Sequence, residues 1–148
     1  MLRVKDIMTR RLITVSPETE ITRAAGLLLE NRINGMPVVD EAGRLVGILC
    51  QSDLISQQKK LPIQSLFSFL DGYIPLDSPK QIEKQTRKIA ATTVAHAMTP
   101  DPVFVDPETS IQAVAALMVD KNFHTLPVVQ EAKLVGVVGK EDVLKTLL

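Results

Sequence analysis

The strongest constraint on the fold is an internal repeat. When residues 4–42 are laid over residues 94–132, the two sequences are identical at 15 of 39 positions, at a constant offset of 90. The offset becomes 89 after Gly43, which has no counterpart in the second repeat. Because a repeated unit usually leaves an apolar face that only its neighbour can cover, we expect the two repeats to pack against each other.

The first half of each repeat is predicted to form a short strand and a helix. The strand is predicted at Ile13–Val15 and at Val103–Val105, and a capping residue and a proline follow it, which favours a helix start nearby. Apolar residues at i, i+3, i+4, i+7 and i+8 then predict an amphipathic helix whose stripe belongs to the core. The stripe residues are Ile21, Ala24, Ala25, Leu28 and Leu29 in the first repeat and Ile111, Val114, Ala115, Met118 and Val119 in the second.

A strand pair and a terminal helix complete each repeat. In the first repeat, apolar runs at Met36–Val39 and Leu45–Leu49 flank a turn that contains Gly43, a pattern typical of a β-hairpin. The second repeat has the same hairpin with one residue fewer in its turn. Terminal helices are predicted over about 52–58 and 141–148. Each repeat is therefore predicted to be an α/β unit.

The segment between the repeats is predicted to carry structure of its own. Residues 59–93 are too many for a plain loop in a compact domain, and the apolar side chains of Phe67, Phe69 and Tyr73 lie among them. A helix is predicted near 80–91, with a basic stripe that is either a solvated face or a docking site for an acidic partner. The expected organisation is a first domain over 1–58, a structured insert over 59–93 and a second domain over 94–148, which together form one compact module.

Charge and cysteine content exclude several classes of function. Seventeen basic and seventeen acidic residues cancel, so no net field draws the chain to nucleic acid or to an anionic membrane. Cys50 is the only cysteine, which excludes an intrachain disulfide and favours a reducing compartment. No apolar run is long enough to span a bilayer, and residues 1–13 lack the apolar core of a signal peptide. We therefore expect a cytoplasmic protein that binds neither nucleic acid nor membrane.

An aspartate stands where the last strand of each repeat is predicted to meet the last helix. Asp53 and Asp142 each close a four-residue pattern that would open with a hydroxyl, but Cys50 and Gly139 take the place of the hydroxyl. Such a carboxylate can complement a helix start, or it can accept hydrogen bonds from the vicinal hydroxyls of a ribose. Because the hydroxyl cap is lost while the aspartate is kept, ligand binding is favoured. The helix start is expected to be an anion site in either case.

Metal binding and catalysis find little support in the sequence. His124 and His96 are the two histidines, and no acidic residue repeats beside them in a way that would complete a metal site. His124, beside a predicted strand, is either a structural residue or a ligand contact. Nucleophilic catalysis by Cys50 would need a base and an orienting group nearby, and the sequence offers no such constellation. We therefore predict no metal site and no enzymatic activity.

The two repeats together resemble a tandem pair of CBS (cystathionine beta-synthase) domains. The resemblance is carried by I-M-T, I-T-V-S-P-E-T-E-I and N-G-M-P-V-V-D-E-A-G-R-L-V-G-I-L-C-Q-S-D-L in the first repeat and by A-M-T, V-F-V-D-P-E-T-S-I and H-T-L-P-V-V-Q-E-A-K-L-V-G-V-V-G-K-E-D-V in the second. It implies a β-α-β-β-α unit in each half, packed about a pseudo-twofold axis. It also implies a homodimer and two clefts that bind AMP, ADP, ATP or S-adenosylmethionine as a regulatory ligand, with no required cofactor.

The resemblance assigns residues to each cleft. In one, Asp142 would hold the ribose, Gly139 would lie at the junction and His124 near the phosphates. The other residues of that cleft are Ile13, Ile33, Asn34, Gly35 and Pro37. In the other cleft, Asp53 and Cys50 would take the corresponding places. The other residues there are Val103, Phe123, His124, Thr125 and Pro127, with Asn34 as the counterpart of His124.

The charge of a phosphate limits this expectation. Both junctions lack the hydroxyl, and the cations near enough in sequence to be considered are Arg10, Arg11, Arg32 and Lys140. We therefore expect one occupied cleft, preferably that of Asp142, or a weak or less highly charged ligand, rather than two tight triphosphate sites.

The leading hypothesis is a non-catalytic regulatory module that binds an adenosine-type ligand and passes a shift in its conformational population to an unidentified protein partner. The alternative is a ligand-free interaction scaffold that acts through the insert and the dimer surface. An exposed apolar patch at Phe67, Phe69 and Tyr73 would favour the scaffold. An enzyme that turns over ATP through Cys50 or His124 is the third hypothesis.

Overall fold

The structure, a computed structural model, describes residues 1–60 and 92–148. Its helices are α1 (Val4–Ile7), α2 (Ile21–Glu30), α3 (Gln51–Lys60), α4 (Val94–Ala97), α5 (Ile111–Asp120) and α6 (Lys140–Leu144), the last of which continues as a 3₁₀ turn over Lys145–Leu147. Its strands are β1 (Gly35–Val39), β2 (Leu45–Cys50), β3 (Thr99–Pro100), β4 (Thr125–Gln130) and β5 (Lys133–Gly139). The predicted insert helix near 80–91, its basic stripe and the aromatic residues Phe67, Phe69 and Tyr73 lie outside the described residues.

Both predicted hairpins form, and they share one register. Strands β1 and β2 are antiparallel with Gly35 opposite Cys50, and β4 and β5 are antiparallel with Thr125 opposite Gly139. Each hairpin also carries a register shift at the equivalent step, between Val38 and Val39 and between Val128 and Val129. The second strand of each hairpin ends three residues before its junction aspartate, so the two aspartates enter their helices at equivalent ends of two separate sheets.

The strands predicted at 13–15 and 103–105 are each reduced to one residue, which forms an isolated β-bridge. Val15 lies parallel to Val38, and Val105 lies parallel to Val128. The ladder stops there because the next residue on the bonded side of each strand is a proline, Pro17 or Pro107, which has no N–H to donate. The N–H between them closes a turn instead: that of Ser16 donates to Thr19 Oγ1 at 3.1 Å, and that of Asp106 donates to Thr109 Oγ1 at 3.0 Å. The same turns delay the helices, which begin at Ile21 and Ile111 rather than beside the prolines.

The N-terminal segment of each repeat packs against the other repeat. The backbone N–H of Val4 donates to the carbonyl of Thr109 at 2.9 Å, and that of Val94 donates to the carbonyl of Thr19 at 2.8 Å. Thr9 then bridges to Val137 on β5, while β3 pairs with β2. Each repeat thus adds the outer edge of its partner's sheet, an exchange that the linear order of the elements did not predict.

Two apolar clusters form the core, one for each hairpin. The cluster beside β4 and β5 contains Val4 from the first repeat, and the cluster beside β1 and β2 contains Val94 from the second. Burial of the helix stripes is confirmed for Ala24, Leu28, Val114 and Met118. The prediction of burial is wrong for Leu29 and Val119, which are 72% and 80% exposed. At about 100° per residue, position i+8 lies at the margin of the stripe and turns away from the sheet.

The terminal helices differ in length. Helix α3 starts one residue before the predicted position, at Gln51, whereas α6 ends at Leu144, four residues before the predicted end. Within residues 1–60 and 92–148, no helix is long and apolar enough to cross a membrane.

Candidate functional site

A pocket of about 300 Å³ opens between the two repeats, beside the end of β5. One wall comes from the first repeat, from the segments before and after α2. The other wall comes from the second repeat, from the start of β4 and the junction of β5 with α6. The pocket is lined by Thr9, Arg11, Ile13, Asn31, Arg32, Ile33, Asn34, Gly35, Pro37, His124, Thr125, Val137, Gly139, Lys140, Glu141, Asp142 and Lys145.

The structure brings together the whole residue set assigned to the cleft of Asp142. Ile13, Ile33 and Pro37 form its apolar part, and the two isoleucines also pack against the core beside β1 and β2. Asn34, Gly35, His124 and Gly139 are polar or backbone contributors to the same lining. Their part in binding a ligand stays a prediction, but their proximity is a feature of the fold.

The carboxylate of Asp142 is held from two sides. Its Oδ2 accepts the backbone N–H of Gly139 at 2.8 Å, which is the acidic half of a capping box. The other half of the box, in which the N-cap side chain accepts the backbone N–H of the third helical residue, is missing because Gly139 has no side chain. Thr9 Oγ1, delivered by the exchanged N-terminal segment, donates weakly to the same carboxylate at 3.3 Å from Oδ1. The two interpretations made from the sequence are therefore compatible, since the carboxylate that complements the helix start also lines the pocket.

The helix start itself is a weaker anion site than the sequence suggested. The backbone N–H of Gly139 is taken by Asp142, and that of Lys140 donates to the carbonyl of His124 at 3.0 Å. Helix α6 has only five residues, so its dipole is small. Positive charge in the pocket must come mainly from side chains.

Four cationic side chains supply that charge. Arg11, Arg32, Lys140 and Lys145 line the pocket together with the carboxylates of Glu141 and Asp142, which gives a formal net charge of +2 with His124 neutral. Among the described residues, none of the four cations forms an ion pair. Of the cations considered from the sequence, Arg11, Arg32 and Lys140 therefore reach this pocket. Arg10 does not contribute to the lining.

The junction at Asp53 repeats the same backbone geometry. Asp53 Oδ2 accepts the N–H of Cys50 at 2.8 Å, and the N–H of Gln51 donates to the carbonyl of Asn34 at 2.9 Å. The hydroxyl of Thr99 lies 3.5 Å from Asp53 Oδ1, at the limit of a hydrogen bond.

The other residues assigned to the cleft of Asp53 lie in varied surroundings. Val103 is 46% exposed, whereas Phe123 packs against the core beside β4 and β5. Pro127 is fully buried, and its carbonyl accepts the N–H of Val105 at 3.0 Å. Thr125 also lines the pocket of Asp142, and its assignment to the Asp53 cleft stays a prediction. It lies beside His124 at the start of β4, where the two repeats face each other.

The environment of Cys50 opposes nucleophilic chemistry. Burial, with a smaller effect from the nearby carboxylate of Asp53, raises the pKa of the Cys50 thiol to about 11. The thiol is therefore protonated near neutral pH, whereas the nucleophilic form of cysteine is the thiolate. Within residues 1–60 and 92–148, no group of three or more metal-ligating side chains is positioned to hold a metal ion.

Comparison with known proteins gives the family. The family model for the CBS domain matches the chain twice, at residues 4–60 and 94–148. The chain belongs to the CBS domain family. The resemblance and the α/β fold predicted from it are confirmed, and the molecule is a tandem CBS pair.

Relatives and solved structures extend this comparison. The chain is 31% identical to the CBS domain-containing protein CBSX1, chloroplastic, of Arabidopsis thaliana over 98% of its own length, but it spans only 64% of that relative. The crystal structure of CBSX2 in complex with AMP matches with a TM-score of 0.75 and 29% identity over 99% of this chain and 96% of that one. The CBS domain pair of protein MJ0100, in complex with 5'-methylthioadenosine and S-adenosyl-L-methionine, matches with a TM-score of 0.73 and 26% identity over 99% and 96%.

Several residues that line the Asp142 pocket were not predicted from the sequence. Thr9 could have been found, because it is identical to Thr99 in the overlay of the repeats. It was missed because it reaches Asp142 across 133 positions of sequence through the exchanged segment. The remaining ones carry no repeated pattern and come from segments adjacent to predicted sites; they are Asn31, Val137, Glu141 and Lys145.

Proposed function

We propose that this CBS pair is a non-catalytic regulatory module that binds an adenosine-containing ligand in the pocket beside Asp142. The ligand class is that of AMP, ADP, ATP or S-adenosylmethionine. Binding shifts the conformational population of the pair, and a protein partner or a second copy of the chain receives that shift. The cytoplasm is the proposed compartment and a homodimer the proposed assembly.

One observation carries this proposal: the carboxylate of Asp142, which can accept hydrogen bonds from ribose hydroxyls, lines the same pocket as the apolar side chains of Ile13 and Ile33. Asp142 keeps acceptor capacity after its bond to the Gly139 N–H, because a carboxylate has about four lone-pair sites. Ile13 and Ile33 offer an apolar surface suited to the face of a purine. A volume of about 300 Å³ lies at the lower end of the range for small-molecule sites.

Two solved relatives support the ligand class. The CBSX2 structure contains AMP, and the MJ0100 structure contains 5'-methylthioadenosine and S-adenosyl-L-methionine. Adenosine is the part that these ligands share. The cleft of Asp53, with Cys50, Val103, Phe123 and Pro127, is proposed as a second and weaker site.

Calorimetric titration of the purified chain with AMP, ADP, ATP and S-adenosylmethionine tests the proposal. Saturable binding of at least one of them is expected, without consumption of the ligand over hours. If folded protein gives no heat with any of the four ligands, and none of them raises its melting temperature, the ligand-binding function is wrong. Steady hydrolysis of a ligand would instead contradict the non-catalytic assignment.

A further inference from the structure

Arg32 is an unusual residue for the backbone conformation at its position. It follows α2 directly after the C-cap Asn31, and its φ is +54°, in the left-handed region. Glycine is the usual residue there and asparagine the common substitute, since other side chains crowd the following carbonyl. In the second repeat, the equivalent residue is Asn122, with a φ of +57°. The fold therefore accepts the more usual residue at this place.

Helix stabilisation does not account for the order of Asn31 and Arg32 either. A cation near a helix C-terminus interacts favourably with the helix dipole, and α5 has one at its C-cap, Lys121, followed by Asn122. Helix α2 has the reverse order, Asn31 followed by Arg32. This order places the cation in the unfavourable conformation and on the wall of the pocket. A costly conformation kept beside a site points to a function at that site.

The charge of the pocket indicates which function. In the described part of the chain, the Arg32 guanidinium has no ion-pair partner, and the lining as a whole carries a formal net charge of +2. The equivalent positions of the other repeat hold one cation (Lys121) and two carboxylates (Asp53 and Asp101), a formal net charge of −1. A positive pocket attracts a dianionic phosphate, is indifferent to a neutral nucleoside and repels a cationic sulfonium.

We infer that Arg32 makes the Asp142 pocket selective for phosphorylated adenosine ligands over neutral or cationic ones. This assignment rests on the proposed function and narrows its ligand class to adenosine phosphates. The guanidinium is a fork of donors that suits the oxygens of a phosphate. Its stabilising contact with the ligand offsets the backbone cost at φ +54°.

The test compares AMP with adenosine, which differ only in the phosphate. Dissociation constants are measured by calorimetry at one ionic strength for the wild type, for Arg32→Asn and for Arg10→Asn, a charge-matched control at an arginine outside the pocket lining. Wild type is expected to bind AMP more tightly than adenosine. Arg32→Asn is expected to weaken AMP binding roughly five- to tenfold and to change adenosine binding less than twofold. Arg10→Asn is expected to change neither.

A second readout separates this role from a structural one. Because asparagine accepts the left-handed conformation better than arginine, Arg32→Asn is expected to raise the melting temperature of the ligand-free protein by roughly 2–4 °C. Affinity and stability thus move in opposite directions. If Arg32→Asn had the same ratio of AMP affinity to adenosine affinity as wild type, or a lower melting temperature, the inference would be overturned. The proposed function would stand in that case as long as adenosine still bound. Wild type that binds neither compound would overturn the inference, and the proposed function would fall with it only if ADP, ATP and S-adenosylmethionine also gave no heat.

Discussion

The two strand-to-helix junctions of this CBS pair share a backbone and differ in their side chains. At each junction, the aspartate accepts the N–H of the residue three positions earlier at 2.8 Å, and the first helical N–H donates to a carbonyl at the start of the neighbouring strand. Yet Lys140 stands where the other junction has Gln51, and Lys145 stands where it has Ser56. The repeat therefore preserves a geometric frame, and the chemistry of each cleft depends on the side chains placed on that frame.

The exchanged N-terminal segments extend this comparison. Each segment brings a methionine and a threonine to the partner's hairpin, where the methionine covers a glycine and the threonine approaches the aspartate. The Met8 segment brings Thr9 to 3.3 Å from Asp142, whereas the Met98 segment leaves Thr99 at 3.5 Å from Asp53. Each cleft is thus partly built by a segment whose own repeat forms the opposite half of the molecule. A ligand in the Asp142 cleft would contact both repeats and favour arrangements that keep them together.

The largest expected effect comes from replacing the two aspartates. Asp142→Ala should weaken binding of the preferred adenosine ligand roughly 10- to 100-fold, because it removes a charged acceptor from the ribose hydroxyls. Asp53→Ala is the matched control, since it removes the same capping bond at the other junction. Both variants should lose about 1 kcal/mol of unfolding free energy. Calorimetry and urea unfolding measure the two quantities, and equal affinity losses would contradict the asymmetry between the clefts.

The second effect comes from the glycines beneath the exchanged methionines. A Cβ at Gly47 would lie 2.6 Å from Met98 Sδ, and one at Gly136 would lie 2.9 Å from Met8 Sδ; each would also lie 3.0 Å from a threonine carbonyl. The methionine can move, but the backbone carbonyl resists. Alanine at either position should therefore cost about 1–3 kcal/mol of unfolding free energy, measured by urea unfolding, with the larger loss at Gly47.

Ligand affinity separates these two glycine variants. Gly136→Ala displaces the segment that brings Thr9 to Asp142, so it should also weaken ligand binding, by roughly threefold or more. Gly47→Ala disturbs only the segment beside Asp53 and should leave that affinity within twofold. If Gly47→Ala weakened binding as much as Gly136→Ala, the exchanged segments would not distinguish the clefts.

The sequence was sufficient to predict the frame but not the charge of the site. Hydrophobic periodicity and hairpin patterns are local, and they placed α2, α5 and both hairpins within a few residues. The proximity of Asp142, Ile13 and Ile33 could be predicted because the repeat and the family resemblance fix their positions relative to the strands. The contribution of Thr9 depends on a contact across 133 positions, and periodicity carries no information about such a contact. Arg11, Arg32 and Lys145 are exposed residues in loops and in the last turn, where no core pattern restricts the residue type.

The third effect is confined to the hairpin turns. In the second repeat, Glu131 and Ala132 have φ values of +51° and +66°, so this two-residue turn needs conformations that favour Asn and Gly. The turn of the first repeat is one residue longer and already has Gly43 at φ +80°. Replacing Glu131-Ala132 with Asn-Gly should raise the free energy of unfolding by about 1 kcal/mol. Gly43→Ala should lower it by a similar amount, and urea midpoints that failed to move in opposite directions would contradict this account.

The smallest effect at neutral pH concerns Cys50, which lies opposite Gly35 in the first hairpin. The equivalent residue of the second hairpin is Gly139. Burial raises its thiol pKa from 9.0 to about 11, so the folded chain holds the proton more tightly than the unfolded chain. The resulting stabilisation is fully present below pH 9 and is lost as the pH rises toward 11. Urea midpoints of wild type and Cys50→Ala should therefore keep a constant difference up to pH 9, and wild type should lose stability faster above it. Because Gly139 has no thiol, the second junction adds no such dependence, and parallel curves up to pH 11 would show that Cys50 remains as titratable in the folded chain as in the unfolded one.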